Sequence, residues 1–359
     1  MESLRLAAFF IVLAGVLSVE LCISASVLEL LAGVIAHNLF DVKVLNGLDL
    51  FANLGLVCLM YLAGLEIDLD SLRETIKPSM TIGFLSFITP FLFVTGFSYL
   101  ILDFNMQQTF LLGVALSTTS VAVVYPLMAE AGRIGSSGRM ILSAAMVTDL
   151  FSMIFLSFIF SEFTWITIAL VAGMVAFTLL FPHFGKRLFK YYKGNPVELE
   201  FKIILLIILG LTIASESAGV ESAITAFLVG MITSQIVVGH KDLTEKFRFL
   251  VFGLFAPVFF FTVGLTLEFG MIMKNIGLFT ILFLVCYIAK YVGTYVPARI
   301  YLPHKASRMG ILFNSRLSFG IIAATIGYNE GLFTGDVYAP LVGVLIFAAI
   351  VSCILFKRV

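Results

Sequence analysis

Charge is scarce in this sequence. Asp, Glu, Lys and Arg together make up 12% of 359 residues, about half the roughly 25% found in soluble domains. That shortage excludes a soluble enzyme, a nucleic-acid binder and a disordered chain. Cysteine is scarce too. Cys22, Cys58, Cys286 and Cys353 each lie in or beside an apolar run, at no pair spacing, so neither a disulfide framework nor a zinc site is indicated. The four histidines, His37, His183, His240 and His304, are scattered at the ends of apolar runs, which argues against a metal enzyme. One Trp against 37 Phe suits lipid and helix packing better than a stacking platform. The net charge is zero, so no basic or acidic partner is implied. What remains is apolar: 60% of the residues are hydrophobic, the composition of an all-α polytopic membrane protein.

Thirteen apolar spans of helical length can be marked. They are Leu4–Val19, Ser24–Leu39, Leu50–Leu65, Met80–Leu102, Gln108–Ala129, Met140–Phe160, Thr164–Phe181, Ile203–Ser217, Ala223–Val238, Phe249–Leu267, Ile276–Val296, Met309–Tyr328 and Val337–Phe356. Strand-like alternation is absent, so a barrel is not expected. With the N-terminus outside, seventeen of the 22 Lys and Arg fall in the odd-numbered loops and the C-terminus, and three fall outside. That asymmetry puts those loops and the C-terminus in the cytoplasm. A cleaved signal peptide in place of the first span would need a small-x-small site before Ser24, and none is clear.

Two matches run through the chain. Tyr61-Leu-Ala-Gly64-Leu65 corresponds to Phe261-Thr-Val-Gly264-Leu265, and Leu30-Leu-Ala-Gly33-Val-Ile to Phe227-Leu-Val-Gly230-Met-Ile. They predict two copies, about 1–161 and 198–359, joined by a linker helix within 162–197, in one transmembrane transport domain. Corresponding spans are seven apart, an odd number, so the copies have opposite membrane orientations: an inverted-topology repeat, as in many secondary transporters. At matching places lie Ser117-Thr118-Thr119-Ser120 in span 5 and Asn314-Ser315-Arg316 with Ser318 in span 12. Side chains that compete for backbone groups are expected to break both helices near mid-membrane. Hydroxyls that merely glue packed helices are the other reading.

Charges within spans are few. Asp149 is the only carboxylate near the middle, and Lys290 and Arg316 are the cations. A charge at the bilayer centre costs at least ~2.5–3.5 kcal/mol, so each has a task or a partner. At ~1.5 Å per residue, Asp149, Arg316 and Lys290 lie about 14, 10 and 9 Å from the inner end of their spans. An Asp149–Lys290 pair that locks two helices is one reading, and a transport site is the other. Arg316 can satisfy carbonyls at a helix break. Glu29 lies near a span end, within reach of water, where it could serve gating or packing. A carboxylate among freed carbonyls and hydroxyls suits a hard monovalent cation, Na+ or K+. The same carboxylate can hold a proton, so competition at one group gives exchange.

At these residues the chain resembles the bacterial monovalent cation:proton antiporters, the branch with NapA-type sodium/proton and Kef-type potassium efflux antiporters. The likeness is carried by Glu29-x-x-Ala32-Gly33, Leu62-Ala63-Gly64-Leu65-Glu66, Ala115-Leu116-Ser117-Thr118-Thr119-Ser120-Val121-Ala122-Val123-Val124, Gly138-Arg139 leading to Asp149, Pro257-Val258-Phe259-Phe260 and Lys290-x-x-Gly293. It implies an NhaA/NapA-like fold, thirteen helices with a crossed discontinuous pair in spans 5 and 12, and a homodimer in the inner membrane. It implies that Asp149 is the ion- and proton-binding aspartate, with Thr148, Thr118, Thr119 and Ser120 around it. Lys290 becomes the core lysine, a charge compensator or second proton carrier. Ser117, Asn314, Ser315, Arg316 and Ser318 support the crossing. No cofactor is implied, the transported Na+ or K+ and H+ being cargo. Three positions depart from the family pattern. Thr148 stands where electrogenic relatives have a second aspartate, so exchange is expected to be electroneutral. Arg316-Leu317-Ser318 lacks the acid of a common Arg-Gly-Glu, and Ser24 replaces a proline. Many relatives continue into a cytoplasmic regulatory domain. None falls within these 359 residues, and one beyond residue 359 is compatible with the pattern. A sodium-coupled organic-anion symporter on the same fold and a cation channel are the rival readings, though neither needs a mid-membrane acid as proton carrier.

Overall fold

A computed structural model describes residues 2–21, 24–43, 46–65, 75–121, 123–124, 128, 136–160, 173, 191, 198–217, 222–237 and 241–358. Every regular element among them is helical. We number the helices α1 Glu2–Leu21, α2 Ala25–Phe40, α3 Asn46–Leu65, α4 Ile76–Ile101, α5 Met106–Ala115, α6 Ser136–Phe160, α7 Leu199–Ser217, α8 Ser222–Val237, α9 Lys241–Leu250, α10 Ala256–Leu265, α11 Phe269–Lys274, α12 Ile276–Tyr301, α13 Ala306–Leu312, α14 Ser318–Asn329 and α15 Gly335–Arg358. Six stretches among the described residues are long and apolar enough to cross a bilayer: Gly47–Leu65, Ile76–Ile101, Ser137–Ile159, Leu243–Leu265, Ile276–Tyr301 and Gly335–Phe356. Apart from residues 173 and 191, the seventh expected span and the linker segment lie outside the described residues, as do Glu66 and Ala122.

The contacts divide the chain into two compact units. One comprises Met1–Val44, Leu69–Ile159 and Val263–Val359, the other Leu45–Asp68 and Phe160–Thr262. In the first, α4 is the central strut. A Cβ on Gly293 of α12 would come within 2.6 Å of Thr89 Cβ, and one on Gly83 of α4 within 2.6 Å of Val147 Cβ of α6. Glycine at these two places lets α12 and α6 approach α4 closely. Phe87, Phe91 and Phe155 fill the layer between α4 and α6, with ring centroids 4.9–5.6 Å apart. Along α12, Leu284, Ile288, Val292, Val296 and Ile300 are exposed, while Cys286, Lys290 and Thr294 are buried. The outward stripe is apolar and the inward face polar, as a helix beside lipid requires.

In the second unit, α3 and α8 cross backbone to backbone. A Cβ on Gly64 would land on the Phe227 carbonyl, and one on Gly230 on the Tyr61 carbonyl. In the first unit, a Cβ on Gly264 would meet the Leu30 carbonyl and, at 2.9 Å, Gly33 Cα. The matched glycines therefore meet crosswise: the third span's glycine packs on the ninth, the tenth span's on the second.

Spans 5 and 12 break where the hydroxyl clusters predict: α5 ends at Ala115 and α13 at Leu312. One expectation is corrected. The charged stretch read as the loop before span 10 is α9, because Leu243, Phe247 and Val251 recur at four-residue spacing and are buried. Between α9 and α10 runs a π turn, Val251–Phe255, in which the Ala256 amide reaches back to Val251 O. Its cause is Pro257, which has no N–H for an i→i−4 bond and whose ring would clash with the carbonyl four residues earlier.

Candidate functional site

Two helices stop halfway and touch where they stop. Beyond Ala115 the chain turns at 116–117, runs irregularly through 118–120 and is helical again at Val121. Ser117 Oγ donates to Gly113 O at 2.6 Å and Thr118 Oγ1 to Ala115 O at 3.4 Å. Hydroxyls that bond the last carbonyls of α5 offer the backbone an alternative to continuing the ladder. The same device ends α13. Ser315 Oγ donates to Leu312 O at 2.6 Å, and Asn314 Nδ2 to Gly310 O at 2.9 Å. The breaks then bond each other. Ser120 N donates to Ser315 O at 2.7 Å, and Thr119 Oγ1 to Phe313 O at 3.3 Å. Ser117, Thr118, Thr119, Ser120, Asn314, Ser315 and Arg316 are all buried.

The start of α5 fixes where its break falls. Asn105 and Gln108 form a reciprocal capping box at 2.8 and 3.1 Å. Gln108 Nε2 also donates to Leu332 O at 2.7 Å, tying this start to the turn after α14.

Two charged side chains hold the first break. Asp149 of α6 is 6% exposed, and its Oδ1 accepts from Thr119 N at 3.4 Å. Lys290 of α12 is fully buried, and its Nζ donates to Ser117 O at 2.6 Å. Among the described residues no salt bridge joins Lys290 to Asp149. They take opposite ends of the break, the anion at an N–H that opens a half-helix and the cation at a C=O that closes one, as helix-end dipoles dictate. Thr148 gives its hydroxyl proton to Gly83 O at 3.2 Å and Ala144 O at 3.1 Å, which fastens α6 to α4 beside the aspartate.

The second break is held differently. Arg316, fully buried, donates from Nη2 to Cys286 O at 2.7 Å and to Asn314 Oδ1. Cys286 precedes Lys290 by one turn, so a single face of α12 serves both breaks. Sequence reasoning passed over Cys286 because its contribution is a carbonyl; the four-residue spacing to Lys290 was the available signal. Ser318 opens α14; its side chain lies outside the described residues. Glu29, expected within reach of water, is 5% exposed. The neighbouring Leu30 and Gly33 lie under Gly264 at the close crossing described above, which walls this part of α2 in.

The crossing thus assembles one carboxylate, hydroxyl oxygens, and carbonyls withdrawn from the helical ladder. That is a hard-oxygen ligand set, suited to an alkali cation, and the carboxylate can take a proton instead.

Residues 6–359 match the family described as "Sodium/hydrogen exchanger, transmembrane". The chain belongs to this family. Within it, the chain is 28% identical over 326 residues to a Na(+)/H(+) antiporter of Enterococcus hirae, covering 86% of this chain and 83% of that one. It is 26% identical over 352 residues to the Probable Na(+)/H(+) antiporter 3 of Methanocaldococcus jannaschii, covering 92% and 89%. The fold is similar to that of the sodium proton antiporter MjNhaP1 from the same archaeon, with a TM-score of 0.71 over 99% of this chain and 96% of that one, at 15% identity. As a member of the sodium/hydrogen exchanger family, the chain is a multi-pass membrane transporter and not an enzyme.

Proposed function

We propose that this exchanger moves a monovalent cation, Na+ or K+, against protons by alternating access, with cation and proton competing for Asp149. The observation that carries this reading is the position of Asp149: a buried carboxylate whose Oδ1 meets Thr119 N at a helix break. The carbonyls and hydroxyls of Thr118, Thr119 and Ser120 complete the cation's shell, and Thr148 supports the aspartate from behind. Lys290, bound to Ser117 O, offsets the aspartate's charge and keeps its proton throughout, so one carboxylate exchanges one cation for one proton. Ser117, Asn314, Ser315, Arg316 and Ser318 keep the crossing open. Glu29 packs the inner part of α2.

The protein works as a homodimer in the inner membrane, with its N-terminus outside and its C-terminus in the cytoplasm. The two inverted copies span about 1–161 and 198–359. Of the three readings open from the sequence, family membership supports the antiporter over the organic-anion symporter and the channel. The test is exchange in proteoliposomes with Na+, K+ and Li+, read with a pH dye. Wild-type protein is expected to move protons on cation addition and Asp149→Asn to move none. Cation-dependent proton flux in that variant would overturn the assignment.

A further inference from the structure

A groove of about 580 Å³ opens in the second unit, between the start of α7 and α9. Glu198, Phe201, Glu245, Lys246, Phe249 and Leu250 line it. That volume is in the range of small-molecule sites. The stretch Leu243–Leu265, which contains most of α9 and all of α10, is long and apolar enough to cross a bilayer. The groove therefore lies at one end of a span, at the depth where headgroups meet acyl chains.

Its lining has two halves. Phe201, Phe249 and Leu250 form an apolar half, and Phe249 is 81% exposed. Exposed Phe252 and Leu254, and Leu206 of α7, extend apolar surface further along the spans. Phe201 packs on Phe247 of α9 with ring centroids 4.4 Å apart, which fixes α7 against α9. The other half is charged. Lys246 Nζ donates to both carboxylate oxygens of Glu198, at 2.8 and 2.6 Å. Glu198 has a left-handed backbone, φ 54°, and its carbonyl accepts from Lys202 N at 3.1 Å as α7 begins. A residue with a side chain is strained there and stays only where its surroundings hold it. The bond to Lys246 does so, and it keeps the rim formed without a ligand. Glu245 is exposed, and among the described residues nothing bonds its side chain. Two carboxylates against one ammonium leave the lining one charge negative.

We propose that this groove holds a phospholipid with a primary ammonium headgroup, a phosphatidylethanolamine. Its ammonium meets Glu245, and its acyl chains run over Phe201 and Phe249. The lipid is a structural partner and not cargo, and the site does not depend on Asp149 being the transport acid. A choline headgroup carries the same charge but has no N–H to give to a carboxylate. A headgroup with net negative charge would face two carboxylates. Lys202 and Arg248, exposed beside Phe201 and Phe249 in the chain, lie outside the lining; an anionic lipid drawn to them is the competing outcome.

Thermal unfolding of the purified, delipidated full chain tests this, with phosphatidylethanolamine, phosphatidylcholine or phosphatidylglycerol of identical acyl chains added to the micelles. The wild type is expected to melt several degrees higher with phosphatidylethanolamine than with either other lipid, and the difference is expected to saturate. Glu245→Gln, an exposed change away from the helix crossing, is expected to fold and to lose that preference. Phe249→Ala is expected to need several times more phosphatidylethanolamine for the same rise. A structure determined in phosphatidylethanolamine nanodiscs is expected to show a headgroup within hydrogen-bond distance of Glu245. Equal melting with all three lipids, a larger rise with phosphatidylglycerol, a preference that persists in Glu245→Gln, or a second copy of the chain filling the groove would each overturn the proposal.

Discussion

The two breaks are made by the same local device and end up with different chemistry. In both, side chains bond the last carbonyls of the leading half-helix, Ser117 and Thr118 in one and Asn314 and Ser315 in the other. In both, a cation is matched to a carbonyl through α12: Lys290 to Ser117 O, and Arg316 to Cys286 O. Among the described residues, only the first also has a carboxylate, Asp149, at the N–H that opens the next half-helix. The comparison teaches that a helix break supplies exposed dipoles and no more. On the function proposed above, a titratable group placed at one end makes the first break the exchange site, and a permanently charged group makes the second a fixed support.

The sharpest way to break that distinction is to neutralise each break in turn. Asp149→Asn is expected to reduce exchange in proteoliposomes to below about 1% of wild type, since the proposed function puts the exchanged proton on Asp149, while the melting temperature stays close to wild type. Arg316→Gln is expected to do the reverse. Two charge-assisted bonds at roughly 1.5–3 kcal/mol each are lost, so unfolding free energy falls by about 3–6 kcal/mol and the exchange rate by less than about tenfold. A variant that melts normally but transports nothing would place Arg316 in the exchange chemistry and erase the contrast. Thr148→Ala removes one hydroxyl bonded to Gly83 O and Ala144 O and is expected to cost about 1 kcal/mol, with a rate within about threefold of wild type. Thr118→Val is expected to change the apparent cation affinity by no more than about threefold, because the proposed site leaves most of the coordination to backbone oxygens. The smallest effect concerns voltage. One uncompensated charge couples to the membrane potential by ~2.3 kcal/mol per 100 mV. With Lys290 protonated throughout, sodium-driven exchange under a valinomycin–potassium clamp is expected to vary less than about twofold over that range. A steep dependence abolished by Lys290→Gln would make the lysine a second proton carrier.

Much of this was readable beforehand, for physical reasons. Four consecutive hydroxyl residues in an apolar run compete with helix formation, and the break falls there. A carboxylate and a lysine deep in apolar spans are too costly to be incidental, and both reach the same break. What the sequence could not supply was the partner. Lys290 and Asp149 have opposite charges and overlapping reach, which suggests a pair, but each finds a backbone group instead, and side-chain letters carry no information about backbone acceptors. Glu29 sits close enough to a span end to suggest water. The glycine contact of Gly264 on Leu30 and Gly33 is long-range, and nothing local in α2 announces it. The stretch Lys241–Leu250 looked like a loop because it is charged, although Leu243, Phe247 and Val251 already had helical spacing. Its π turn had a visible cause in Pro257.

The most direct measurement is proton release on cation binding, with purified protein in weakly buffered solution and a pH indicator. If cation and proton compete for Asp149, saturating Na+ or K+ releases about one proton per protomer from the wild type and none from Asp149→Asn. Cation binding without proton release in the wild type, or equal release from the variant, would contradict it.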